Sequence, residues 1–243
     1  MKLSQTDFMN SPGLCTATVP ALDAVSGLVH GFEQRTGLTG AESRDESRRR
    51  VAAALHDRGR LFLMKQVHGA TVVPAPWEGT PEADASTATA PALLLGIETA
   101  DCLPVLLVDP VRRAVAAAHA GWRGTAAGVA GKVAQAMVAA GSRPADLLAA
   151  LGPSIGPCCY EVGDEVRSAF GRAGAAFFRP GPRGRPHLDV RAANLRHLVA
   201  AGLREDHIHH VPDCTSCRPD LYHSYRRDGA GGGRMISFIG FRG

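Results

Sequence analysis

Only four residues, Thr99-Ala100-Asp101-Cys102, separate two strongly apolar runs at 93–98 ("LLLGIE") and 103–108 ("LPVLLV"). A crossover between parallel neighbours takes a dozen or more residues. The two runs must therefore be antiparallel strands or strands joined through a sharp bend. A third apolar run at 114–118 follows just as closely. This spacing rules out a regular doubly wound sheet, and neither a GxGxxG nor a P-loop pattern occurs anywhere in the chain. Further runs rich in Val, Leu and Ile, bounded by Gly, Pro or Asp, predict strands at 61–64, 70–74, 147–151, 207–211 and 234–239.

Helices are predicted at 41–57, 125–140, 161–173 and 189–202. The second is the clearest: Val129, Val133 and Met137 repeat every four residues, and Gly141 and Pro144 stop it. Strand runs broken by single helices give an α/β class with mixed sheets. Residues 78–90 and 179–187, rich in small polar residues or in Pro and Gly, read as surface loops. No repeat or flexible linker divides the 243 residues.

Composition excludes several classes. The formal charge is +4, and only Lys2, Lys65 and Lys132 are lysines among 27 basic residues. The cluster "RDESRRR" (44–50) is short, interleaved with acids and without aromatic partners, so it reads as a solvated helix face and not a nucleic-acid footprint. The N-terminal "MKLSQTDFMNSPG" lacks the apolar core of a signal peptide, and no apolar run approaches the ~20 residues of a membrane span. Six cysteines without a secretory signal read as reduced thiols, and the expectation is a cytoplasmic protein.

The chemistry concentrates where apolar runs end. "LFLMKQVHGATVV" (61–73) interrupts an apolar segment with Lys65, Gln66 and His68, polar groups that need partners if buried. His68, Cys102 and His119 share one pattern: each stands where an apolar run meets a Gly or an acid. Strand ends on one side of a sheet converge in space, and two imidazoles with one thiolate suit Zn²⁺ with a fourth position open. The same residues also allow a metal-free reading, Cys102 as nucleophile and His119 as its base, with Asp101 tuning the pair. Spacing does not separate the two.

Other features are weaker. "CTSC" (214–217) is a single CxxC whose only potential complement is Cys158–Cys159, and adjacent cysteines rarely point at one ion. In "HIHH" (207–210) a strand would put His207 and His209 on one face and His210 on the other. "GWRGT" (121–125) opens a helix, where Arg123 and free N–H groups favour an anion. "YHSYRRDG" (222–229) could line a pocket through Arg226 and Arg227 or brace a loop.

Taken in order, "GLVHGFEQRTG" (27–37), "KQVHGATVV" (65–73), "ADA" (83–85), "TADCLPVLLVDP" (99–110), "AAAHAGWRGTAAGV" (116–129), "LGPSIGPCCYEVGDEV" (151–166), "LDVRAANLRHLV" (188–199), "DCTSC" (213–217) and "YHSYRRDGAGGGRMISFIGF" (222–241) resemble one family. It is the laccase-domain or "polyphenol oxidase" family, better described as YfiH-type purine nucleoside phosphorylases. The likeness runs from about residue 27 to 241. It implies a single domain over 1–243, folded as a layered α/β/β/α sandwich similar to that of toxin-like cysteine hydrolases.

The resemblance further implies one catalytic zinc held by His68, Cys102 and His119. Adenosine, guanosine, inosine and methylthioadenosine would be phosphorolysed to free base and ribose 1-phosphate, and adenosine would also be deaminated. Arg35 falls on the family's N-terminal arginine, an expected substrate or phosphate contact, with Arg123 as a second. The implied partners are purine nucleosides and phosphate, with no nucleic acid or membrane, in a monomer or weak dimer. Glu33–Gln34 and Leu38–Thr39 depart from the usual pattern of that loop. Asp101 is the proton donor suggested by proximity alone. Copper oxidase chemistry is rejected: only His207 and His209 form an H-x-H pair, and Cys102 has no neighbouring His.

Overall fold

A computed structural model describes residues 14–35 and 44–243. The first residues of the helix expected from 41, the Leu38–Thr39 departure and the N-terminal "MKLSQTDFMNSPG" lie outside the described residues.

In chain order the strands are β1 (Cys15–Ala17), β2 (Leu28–Gln34), β3 (Arg60–Phe62), β4 (Val72–Pro74), β5 (Ala85–Ala88), β6 (Leu93–Thr99), β7 (Leu103–Asp109), β8 (Ala114–Ala120), β9 (Leu148–Leu151), β10 (Phe178–Pro180), β11 (Pro186–Leu188), β12 (Ile208–His210) and β13 (Met235–Phe241). The α-helices are α1 (Pro20–Asp23), α2 (Arg44–Leu55), α3 (Trp122–Ala126), α4 (Val129–Ala139), α5 (Asp164–Ala169), α6 (Val190–Ala200) and α7 (Tyr225–Asp228). One sheet has the order β1-β2-β13-β6-β3, a second the order β12-β9-β7-β8-β5-β4, and β10–β11 form a small hairpin.

Alternation along the strands builds the layers. In β7, Leu106 and Val108 pack with Phe32, Leu95, Ile97 and Ile239 of the first sheet, while Leu103, Val105 and Leu107 pack with Val129, Val133 and Met137 of α4 and Leu198 of α6. Both faces of β7 are thus covered, which is why its run is apolar without interruption. On the far side of the first sheet, Val29, Leu94, Ile236 and Phe238 meet Val51 and Leu55 of α2. The result is an α/β/β/α sandwich with mixed sheets. The alanines of β8 leave room for α4 to lie close against it.

The Thr99–Cys102 link takes the sharply bent option: β6 and β7 belong to different sheets, and Asp101 turns the chain with φ 85°. Several expectations change. The strand β2, unforeseen, sits between β1 and β13. Residues 78–90 are not wholly a surface loop, because β5 pairs with both β4 and β8. The 179–187 segment contributes to the hairpin. The helix expected at 125–140 is two, α3 and α4, because Gly128 takes the left-handed conformation (φ 77°) between them. That expected at 161–173 shortens to α5.

The basic run at 44–50 is also more than a solvated face. Arg48 donates to both carboxylate oxygens of buried Glu98 (2.9 and 2.6 Å), Arg44 adds a third bond (3.3 Å), and Arg50 pairs with buried Glu33. Glu33 also accepts from the Ile236 N–H (2.6 Å), and Gln34 meets Tyr222 and Cys15, so the Glu33–Gln34 departure is absorbed by partners mostly distant in sequence. No helix among the described residues is long and apolar enough to cross a membrane.

Candidate metal centre

Two antiparallel strands start the site. Leu103 of β7 lies opposite Ala120 of β8, which leaves Cys102 and His119 at the same end of the second sheet. The third member arrives from a loop and not from a strand end: β3 stops at Phe62, and His68 stands alone in a left-handed conformation (φ 61°). Such backbone is uncommon for a residue with a side chain and persists only where the surroundings enforce it.

The enforcing group is Asp84, fully buried beside β5. Its carboxylate accepts the N–H of Val67 (3.2 Å), His68 (2.9 Å) and Gly69 (2.6 Å), pinning the loop that carries His68. The same carboxylate bonds His119 Nδ1 at 2.8 Å, because the β5–β8 register sets Asp84 next to His119. His119 therefore turns Nε2 toward Cys102. The interrupting polar residues of 61–73 also find partners: Gln66 exchanges two bonds with the Glu98 backbone (both 2.8 Å), and Lys65 pairs with Glu82 (2.7 Å).

The three donors converge. Cys102 Sγ lies 3.9 Å from His68 Nε2, the two imidazoles stand edge to face with centroids 4.8 Å apart, and all three ligand atoms fall within 4.8 Å of one another. His119 is buried, Cys102 half-buried and His68 exposed, so the group opens to solvent on one side. Gly121 forms its floor: a Cβ there would stand 2.9 Å from His68 Cδ2 and 3.1 Å from Cys102 Sγ. Burial alone would push the Cys102 thiol up, but the charges and hydrogen bonds of His119 and His68 outweigh it and bring the thiol down to about 6. Burial likewise opposes a proton on His119, yet Cys102 and Asp84 draw its pKa up to about 9. A soft thiolate, two imidazoles and a carboxylate bonded to the second nitrogen of one of them make the donor set and outer support of a zinc-type site. The residues present fit such an ion.

The remaining candidates are placed differently. Asp101 does not face the trio; one oxygen accepts from Thr215 Oγ1 (2.6 Å) and the other from the Arg226 N–H (2.7 Å), so it ties the 213–227 loop to the Cys102 link. Arg123 is exposed and stacks on Trp122 (4.3 Å), near enough for its charge to act on Tyr160, which also feels Cys102. Burial, first, and the Cys102 charge hold the Tyr160 hydroxyl protonated well above neutral pH. The exposed Arg35 reaches the Pro219 carbonyl (3.4 Å) and none of the trio. Arg226 and Arg227 brace loop carbonyls, of Cys159 and Glu161 and of Thr215 and Tyr222 respectively, and the Arg226 guanidinium also lies 5.5 Å from the centre of the Tyr160 ring. The sequence reading missed Asp84, Gly121 and Tyr160. Asp84 is the one an acid inside "ADA" could have signalled, had 78–90 not looked like a surface loop.

A family model described as multi-copper polyphenol oxidoreductase laccase matches residues 40–242. A purine nucleoside phosphorylase of Deinococcus radiodurans is 38% identical over 96% of this chain and 95% of its own length. The chain belongs to this YfiH-type laccase-domain family. The family resemblance extends to an adenosine deaminase, RL5, from an unknown prokaryotic organism, 39% identical over 64% of this chain and 61% of its own length. In three dimensions the crystal structure of YlmD from Geobacillus stearothermophilus matches with a TM-score of 0.83 at 32% identity, covering 97% of this chain and 99% of that one.

Proposed function

We propose that this laccase-domain protein is a zinc-dependent purine nucleoside phosphorylase that also deaminates adenosine. The observation that carries the reading is the convergence of His68, Cys102 and His119, with Asp84 behind them, in a chain related over nearly its whole length to a purine nucleoside phosphorylase. When bound, the ion supplies Lewis acidity at neutral pH. The protein's own groups do the rest. Asp84 fixes the direction of His119 and the loop of His68 before any ligand arrives, so the donor set is preorganised. Arg123, held over Trp122 beside the opening, offers a guanidinium fork to phosphate oxygens, and Arg35 is the second cationic candidate.

In phosphorolysis a phosphate oxygen forms the bond to C1′ while the C1′–N9 bond breaks, its electron pair leaving with the purine, which takes up a proton. The ribosyl centre carries cationic character during this exchange, so positioning of the phosphate by arginine is the main demand. Tyr160, kept protonated, is a hydrogen-bond donor at the edge of the same opening.

Zinc is preferred to copper on the donor inventory. A His₂Cys trio is also the equatorial set of blue-copper centres, but a laccase needs a further three-copper cluster of paired histidines. Among the described residues the only other metal-capable group is made of cysteines. The runner-up, a metal-free cysteine hydrolase on a similar layered sandwich, shares the Cys102–His119 pair but gives His68 no role. Metal analysis followed by incubation with adenosine, inosine, guanosine and methylthioadenosine, with and without phosphate, decides. Zinc in this centre and phosphate-dependent release of free base are expected, and Cys102→Ala should lose the base release together with the ion of this centre. Full activity in the metal-free protein would return the site to the hydrolase reading, and no base release at all would sink the assignment.

A further inference from the structure

Cys158, Cys159, Cys214 and Cys217 form a second group of ligand atoms, their four Sγ within 4.8 Å of one another. Cys217 Sγ is 3.4 Å from Cys159 Sγ and 3.6 Å from Cys158 Sγ. The objection that adjacent cysteines rarely serve one ion is met by the backbone. The N–H groups of Cys159 and Tyr160 both bond the Gly156 carbonyl (3.0 Å each), curling the chain so that the two side chains reach the same partner. The other pair sits on a matching turn, where the N–H groups of Cys217 and Arg218 both bond the Cys214 carbonyl (3.1 Å each).

Three states could explain four gathered sulfurs. Free thiols kept for packing are usually buried, whereas Cys158 and Cys217 are exposed. A disulfide would draw Cys217 to one partner, but it stands almost equally near two. Four sulfurs around one tetrahedral ion at about 2.3 Å are about 3.8 Å apart, close to the separations seen here. The surroundings suit the negative charge of such a centre. The Gly156 N–H donates to Cys214 Sγ (3.2 Å), and half-buried Arg191 lies where its charge interacts with Cys214 and Cys158, with a buried Nε that has no partner. Donors of this kind favour the thiolate form and support metal–sulfur bonding.

We propose that Cys158, Cys159, Cys214 and Cys217 bind a second zinc ion, a closed structural site that joins the 154–161 and 213–218 loops. Four thiolates leave no open position, so the ion takes no part in catalysis. Its effect is on the neighbouring centre: one loop carries Tyr160, and the other carries Thr215, which holds Asp101 beside Cys102.

The test counts metal on the whole chain, purified and exchanged into reducing, metal-free buffer. Elemental analysis should give two zinc per wild-type chain. The double variant His68→Ala/Cys102→Ala should keep one, and its X-ray absorption should show a shell of sulfur alone at about 2.3 Å. Cys214→Ala/Cys217→Ala should keep the other, in a mixed nitrogen and sulfur shell. Because the first double variant leaves the cysteines intact, poor folding of the second does not blur the result. The proposal is overturned if His68→Ala/Cys102→Ala holds no metal, if that variant holds iron, or if the denatured mass of protein prepared without reductant shows the hydrogens of these thiols lost to S–S bonds. One ion in both the wild type and His68→Ala/Cys102→Ala would instead refute the first centre and leave the second standing.

Discussion

Asp84 joins two jobs that the sequence separates by many residues. It holds the His119 ring and, through three backbone N–H groups, the unusual backbone of His68. Replacing it with Asn keeps the size but offers an amide N–H₂ to groups that are already donors. Removing an outer support of this kind typically weakens metal binding by 10–100-fold. A competition titration of Asp84→Asn against a chromogenic chelator should show that loss, and an unchanged affinity would strip Asp84 of its positioning role. Gly121 is constrained by space, not conformation. A methyl group at this position presses on His68 and Cys102 together, and overpacking of this sort costs about 1–3 kcal/mol, or about 5–150-fold in affinity. Gly121→Ala should therefore bind metal more weakly while its unfolding midpoint moves little in the chelated protein; equal affinities would show that the ligands yield freely. The trio itself was legible in the sequence because each member interrupts or ends an apolar run. Their supports were not, since an acid among alanines and a glycine before a tryptophan carry no periodic signal.

At the level of elements, β7 and α4 could be read directly, the first from an apolar run covered on both faces and the second from its four-residue stripe. The strand β2 escaped because "LVHGFEQ" mixes buried His30, Glu33 and Gln34 with apolar residues, and their partners lie far off in sequence. The strand β5 escaped because "ASTA" is small and polar, its place fixed by pairing with β4 and β8 and not by its own side chains. The break between α3 and α4 was visible as Gly128 but had been absorbed into one helix. That break is open to a clean measurement. A Cβ at Gly128 meets nothing within 4 Å, so only its left-handed backbone resists substitution. Gly128→Ala should cost about 1–2 kcal/mol in urea unfolding, and Gly128→Asn, which tolerates that conformation, distinctly less. Equal costs for both would mean that the α3–α4 junction relaxes to accommodate either.

Across the whole molecule, the layers bury groups whose protonation then becomes part of stability. His30 lies on β2 under the start of α1, 2% exposed, its Nε2 accepting the Val19 N–H (3.2 Å). Burial drives its pKa down from 6.5 to about 4, against a partial upward pull from Asp23, 3.8 Å away. The unfolded chain therefore binds more protons than the folded one between those values, and stability rises with pH across that window. The contribution is fully present above pH 6.5 and is lost as pH falls toward 4, amounting to about 3 kcal/mol by then. Gln at this position keeps an acceptor for Val19 but cannot titrate. In chelated protein, where metal release plays no part, wild-type unfolding free energy should drop more steeply than that of His30→Gln between about pH 7 and about pH 4, by roughly that amount. Parallel profiles for the two proteins would place the acid sensitivity elsewhere in the sandwich.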